Sequence, residues 1–215
     1  MPLAATSGRE SLRSPTGPRR EIRSRSWREV EFASLDFETT GLDYGRDAIV
    51  SFGVVPIRGG RLVLAEAVHQ LVVPEIPSSA TSMKVHRILP QDLVDAPPLE
   101  VARERLRAAL EGRFVLAWYA DVEIAFLTRI FGGRASAWKR RTVDARDLTI
   151  EVEGAHPDVR FSLTSVAQRY GVPVDDPHEA LADALVTAQL FLILASRLER
   201  VGRGTTRSLL RLSRV

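Results

Sequence analysis

Cysteine is absent from all 215 residues, which excludes a disulfide framework and any thiolate metal site. A bound metal would have to be held by oxygen or imidazole, and that donor set favours hard cations such as Mg²⁺ or Mn²⁺. No apolar run approaches the roughly 20 residues that span a bilayer, and the N-terminus lacks the apolar stretch of a secretory signal. A soluble, cytoplasmic protein with no membrane partner is the expectation. Acidic residues are scarce at both ends: residues 1–28 carry seven Arg against two acids, and residues 197–215 carry six Arg against one. Each end is +5, so the net +3 leaves −7 for residues 29–196. The basic pI therefore belongs to the ends, and the body is acidic, which suits a carboxylate-rich pocket better than a surface that grips duplex phosphates everywhere. Pro15, Gly17 and Pro18 interrupt any amphipathic helix near the start. Residues 1–28 are expected to be a disordered Arg-rich tail and 199–215 a basic C-terminal tail.

What remains is enough for one core, since 45% of the chain is hydrophobic and 27% charged. Phe32 to Leu35 reads as a strand running into Asp36-Phe37-Glu38, and Ile49 to Ile57 as a second. Arg58-Gly59-Gly60-Arg61 is a hairpin turn into a third strand, Leu62 to Val73. Apolar residues at helical spacing predict a helix over Leu99–Leu110, followed by a short buried strand, Phe114–Ala117, and a helix over about Asp121–Phe131. Thr142-Val143-Asp144 is a further strand end, Leu163 to Tyr170 a short helix closed by Gly171, and Glu179 to Leu198 a long apolar helix. The architecture is α/β with a mixed sheet, and there is no internal repeat or sustained heptad pattern.

Two features carry chemistry. In Asp36-Phe37-Glu38-Thr39-Thr40-Gly41-Leu42, the carboxylates stand two apart on a strand, so they face the same side. Side by side they repel unless a cation lies between them. In His178-Glu179-Ala180-Leu181-Ala182-Asp183-Ala184, a His on the loop before a helix and an Asp in its second turn can face one pocket while Leu181, Leu185 and Ala188 pack inward. Histidine is the natural general base near neutral pH, and Asp is a hard metal ligand.

Together these stretches resemble the first and third motifs of the DEDDh, or DnaQ-like, 3′-to-5′ exonuclease superfamily, which includes the epsilon subunit of bacterial DNA polymerase III. The resemblance spans about residues 30–196 and takes in Phe161-Ser162-Leu163 and Tyr170-Gly171-Val172 ahead of the third motif. It implies a ribonuclease H-like mixed β-sheet flanked by helices, with an exonuclease domain over 29–198. Asp36, Glu38 and Asp183 are then metal ligands, and His178 is the general base. The backbone of Thr39 and Thr40, with Gly41 and the side chain of Leu42, would cradle the terminal nucleotide. Met83-Lys84-Val85-His86 resembles a stretch that approaches substrate, which makes His86 a further candidate.

The middle motif departs from the family pattern of a strand, His-Asn, and an Asp three residues before Phe-Leu. Here Trp118 and Tyr119 replace His-Asn. Counting back from Phe126-Leu127 places Glu123 in the metal-ligand register, whereas Asp121, the alternative, has the position of a helix N-cap. Asp144 is a further acid, supporting the site or ending a turn. The resemblance implies hydrolysis of phosphodiester bonds with two Mg²⁺ or Mn²⁺ ions, releasing mononucleotides from single-stranded 3′ ends, with a DNA polymerase as a conceivable partner. The alternatives are a catalytically weak nucleic-acid-binding or polymerase-associated subunit, and a ribonuclease with the same chemistry.

Overall fold

The computed structural model describes residues 19–213. Its centre is a mixed sheet. Strand β1 (Phe32–Thr39) pairs antiparallel with β2 (Ile49–Arg58) and parallel with β5 (Phe114–Ala117), and β5 pairs parallel with β6 (Thr142–Asp144). Short strands β3 (Arg61–Leu62) and β4 (Val68–Leu71) both pair antiparallel with β2. The expected continuous third strand, Leu62 to Val73, is thus interrupted: a 3-10 turn at Leu64–Glu66 separates the two pieces. That turn carries Glu66 to Arg58 and Arg113, with contacts of 3.0 and 3.1 Å.

Helices cover both faces, and period-2 alternation along β1 decides what each face holds. Ala33, Leu35 and Phe37 pack with Leu106 and Leu110 of α3 (Leu99–Leu110) and Leu127 of α4 (Asp121–Phe131). Phe32 points the other way, into a cluster with Phe191, Leu194 and Leu198 of α8 (Ala180–Arg200). Ser34, Asp36 and Glu38 therefore share the α8 face. Helices α2 (Ala80–His86), α5 (Ala135–Lys139), α6 (Ala145–Glu153) and α7 (Leu163–Arg169) complete the body.

Helix α8 corrects one expectation. An 18-residue window within its 21 residues has a mean hydropathy of 1.6, and the helix is long and apolar enough by composition to cross a membrane. In the fold it is a core helix, with Ala184, Ala188, Leu190, Phe191 and Leu194 all at 0% exposure.

The tail boundaries also shift. Residues 1–18 of the expected N-terminal tail, and 214–215 of the C-terminal one, lie outside the described residues. Residues 19–28, however, form α1 (Arg19–Ser24) and a 3-10 turn, and α9 (Thr206–Leu212) lies inside the other expected tail. The two segments are joined: Trp27 N donates to Gly204 O at 3.0 Å, and Thr206 N to Arg25 O at 3.0 Å. A few apolar side chains among the arginines cause this ordering. Trp27 is 1% exposed and meets Phe191 edge-on at 5.5 Å, while Ile22 and Leu209 are also buried.

Candidate functional site

The carboxylates sit where β1 runs out beneath the first turn of α8, because small residues let the helix lie unusually close to the sheet. Ala180, Ala184 and Ala188, each fully buried, form the contacting stripe of α8. On the sheet, Gly53 of β2 is the register partner of Asp36 on one side and of His69 on the other. A Cβ on Gly53 would lie 2.2 Å from Ala180 O and 2.3 Å from Leu181 N. His69 Nε2 in turn meets Glu179 Oε1 at 3.1 Å, and the Glu179 carboxylate caps the helix by accepting from Leu181 N and Ala182 N. The start of α8 is thereby fixed across Asp36, Gly53 and His69.

That placement brings the first and third motifs together. One potential ligand atom each from Glu38, His178 and Asp183 lie within 4.8 Å of one another. Asp183 falls in the first turn of α8, one turn earlier than expected, and its Oδ2 accepts from His178 N at 3.1 Å. His178 adopts φ 68°, the left-handed region that non-glycine residues seldom occupy. Its imidazole stands exposed at the rim while Glu38 is buried. Leu181 and Leu185 are half-buried and pack against the core, and Ala188 is fully buried, as expected; Ala180 and Ala184 are the fully buried residues of α8 nearest the site.

The middle acids separate clearly. Glu123 is 3% exposed and its Oε2 has no hydrogen-bond partner among the described residues. Asp121 is exposed and pairs with Lys139 Nζ at 3.4 Å. Nor is Asp121 an N-cap: it is the first residue of α4, Ala120 takes the cap position, and no side chain caps the helix. Asp144 is a buried tether. Its Oδ2 accepts from Ala120 N at 2.9 Å and its Oδ1 from Arg146 N at 2.8 Å, which fixes the start of α4 and hence Glu123.

Burial and mutual repulsion act together on these acids. Glu38 is pushed up to about 8 by burial, then by Asp183 and Glu179. Asp36 is raised well above its ordinary value by burial, then by Glu123, Glu38, Asp183 and Glu179. Burial raises Glu123 strongly, with Asp144 and Glu38 adding to it. Burial also raises Asp183, against the lowering effect of the His178 N–H. Desolvated carboxylates that cannot all ionise together, one with an unpartnered oxygen, fit a hard divalent cation.

A pH dependence follows. An unfolded Glu38 ionises near 4.5 but the folded one holds its proton to about 8. Between those values the folded state binds more protons, so stability is greatest below pH 4.5 and is lost as pH rises through about 8. Thermal unfolding of the protein in EDTA should therefore show a midpoint that drops between pH 5 and pH 8, and MgCl₂ or MnCl₂ should recover more of it at pH 8. A midpoint indifferent to both pH and cation would mean that the acids do not repel one another.

The loop after β1 is preorganised around Asp47. The Asp47 carboxylate accepts from Thr40 Oγ1 at 2.8 Å and from Asp43 N at 2.7 Å. Gly41 is packed so tightly that a Cβ would lie 2.4 Å from Asp47 Oδ2. Thr40 is buried, its N–H donates to Ala48 O and its C=O accepts from Ser79 N. Its backbone is therefore engaged within the protein and shapes the loop instead of cradling a nucleotide. Thr39 Oγ1 donates to Gly41 O at 2.7 Å. Leu42, by contrast, is 82% exposed at the loop tip. His86 is 6% exposed: Nδ1 accepts from Ile88 N at 3.0 Å, and the buried Nε2 has no partner among the described residues. Burial lowers its pKa and so favours the neutral imidazole.

Sequence reasoning missed Gly53, His69 and Glu179. The one available signal was a glycine inside an otherwise apolar strand, which marks a close backbone approach.

A model of the RNase_T exonuclease family matches residues 34–191. The DNA polymerase III PolC-type of Thermotoga maritima is 31% identical over 176 residues, which cover 81% of this chain and only 12% of that protein. DNA polymerase III subunit epsilon of Aquifex aeolicus is 25% identical over 187 residues, 85% of this chain and 90% of that one. The solved structure of exonuclease X in complex with 5′ overhanging duplex DNA shares the fold, with a TM-score of 0.63 at 21% identity over 85% of this chain and 99% of that one.

Proposed function

The chain belongs to the RNase_T exonuclease family, its match covering residues 34–191, and we propose that it is a 3′-to-5′ exonuclease using two Mg²⁺ or Mn²⁺ ions on single-stranded 3′ ends. The observation that carries this reading is the convergence of Glu38, His178 and Asp183 within 4.8 Å, next to the half-buried Asp36 and the buried Glu123. Asp36, Glu38, Asp183 and Glu123 would hold the ions. Once bound, the ions would supply positive charge for the attacking water and the leaving 3′ oxygen.

The remaining work falls to the chain's own side chains. His178, exposed beside Glu38 and Asp183, takes the proton of the attacking water, a general-base role worth about 10² to 10⁴ in rate. Leu42 presents an apolar surface to the terminal base while Thr39 and Gly41 hold its loop. His86, 6% exposed with its Nε2 enclosed, supports the segment beside the site and does not itself touch the strand. A polymerase partner is supported by the similarity to an epsilon subunit across 90% of that subunit's length.

The test is degradation of 5′-labelled single-stranded DNA and RNA with Mg²⁺ or Mn²⁺. We expect a ladder shortening from the 3′ end, reduced at least a hundredfold in His178→Ala and lost in Asp36→Ala. No cleavage of either polymer, with binding retained, would instead support a catalytically weak nucleic-acid-binding subunit.

A further inference from the structure

Trp118 and Tyr119 occupy the positions where the family pattern has His-Asn, and the function above leaves them without a role. Tyr119 adopts φ 57°. Asn tolerates that left-handed conformation; a bulky aromatic residue seldom does, and such strain collects at functional positions. The ring is not buried to compensate, being 40% exposed.

It is nevertheless held rigidly. Arg146 lies over one face, its guanidinium carbon 4.9 Å from the ring centroid, and Trp118 stands edge-on at 6.3 Å and 84°. Arg146 is itself pinned, with Nη2 donating to Pro157 O at 2.9 Å and Val159 O at 2.8 Å. The buried Asp144 carboxylate ties down both Ala120 N and Arg146 N. Tyr119 also opens the turn that leads to Glu123: Val122 N donates to Tyr119 O at 3.2 Å.

From these contacts we propose that Tyr119, backed by Arg146, is a stacking platform for a nucleobase of the substrate strand upstream of the terminal nucleotide. An exposed aromatic face accepts any base, and the guanidinium behind it adds positive charge close to the strand's phosphates. The terminal nucleotide is assigned to the Leu42 loop, so the base at Tyr119 belongs to a nucleotide further back. This inference rests on the exonuclease reading.

The test uses a 12-nucleotide single-stranded DNA and versions with an abasic site at the second, third or fourth position from the 3′ end. Binding is read by anisotropy in EDTA, without turnover, so a failure of catalysis and a failure of the platform are distinguishable. Wild type should bind one abasic oligonucleotide about tenfold more weakly, the scale of one lost base–aromatic stack. Tyr119→Asn should bind the intact strand about tenfold more weakly and show no abasic discrimination. Its unfolding temperature should hold or rise, since Asn suits the left-handed position, and Tyr119→Phe should behave as wild type. Unchanged binding and discrimination in Tyr119→Asn would overturn the proposal. So would a fall in its unfolding temperature with binding unaltered, the mark of a purely structural ring.

Discussion

Asp36→Asn is expected to lower the hydrolysis rate by at least about a thousandfold, or ~4 kcal/mol of barrier, while raising the unfolding temperature of the metal-free protein at pH 8. The two effects share one cause. Asp36 is pushed towards its protonated form by burial and by Glu123, Glu38, Asp183 and Glu179 together. An amide removes that repulsion, so the apo protein gains stability where the carboxylates would otherwise ionise. The gain should shrink at pH 5, where Glu38 already holds its proton and repels Asp36 less. The same substitution removes one of the proposed anionic ligands, so cation-induced stabilisation should fall with activity. Glu123→Gln should follow the same pattern, since Glu123 is buried beside Asp36. Asp121→Asn should change neither quantity, because Asp121 is exposed and faces Lys139. Rate assays paired with melting curves at both pH values give the answer; if Asp121→Asn lost activity and Glu123→Gln kept it, the assignment of the middle acid would be reversed.

Gly53→Ala should be nearly as damaging, although Gly53 touches no substrate. The added methyl would sit 2.2 Å from Ala180 O and 2.3 Å from Ala180 C, both backbone atoms that cannot swing aside. Either β2 bends or the start of α8 lifts, and overpacking of this kind costs about 1–3 kcal/mol. Because Gly53 is the register partner of Asp36, the lift would open the gap between Asp183 and the β1 carboxylates. We expect a folded protein by circular dichroism, an activity loss above a hundredfold, and little recovery of the unfolding temperature on adding Mn²⁺. Retention of that recovery and of kcat would show that the close helix–sheet approach does not position Asp183.

The structure also shows which parts of the site could be read without it. The alternation of β1 put Asp36 and Glu38 on one face, and the polar-to-apolar change at residue 179 placed His178 on the loop ahead of α8. These are relations between residues two to five apart, fixed by the repeat of the backbone itself. The ends misled for the opposite reason. Composition registers the many arginines, but Trp27, Ile22 and Leu209 order those segments only because α8 and α9 lie alongside.

By itself, then, the sequence determined the two candidate motifs, the mixed sheet and the absence of thiolate donors, since each follows from local periodicity or from which side chains exist. Only the tertiary structure decided that Glu123 and not Asp121 joins the acids, that Asp144 tethers the start of α4, and that Gly53 admits α8. Each of these depends on segments from 24 to more than 120 residues apart meeting at close range, and the order of residues along one chain does not specify which segments pack together.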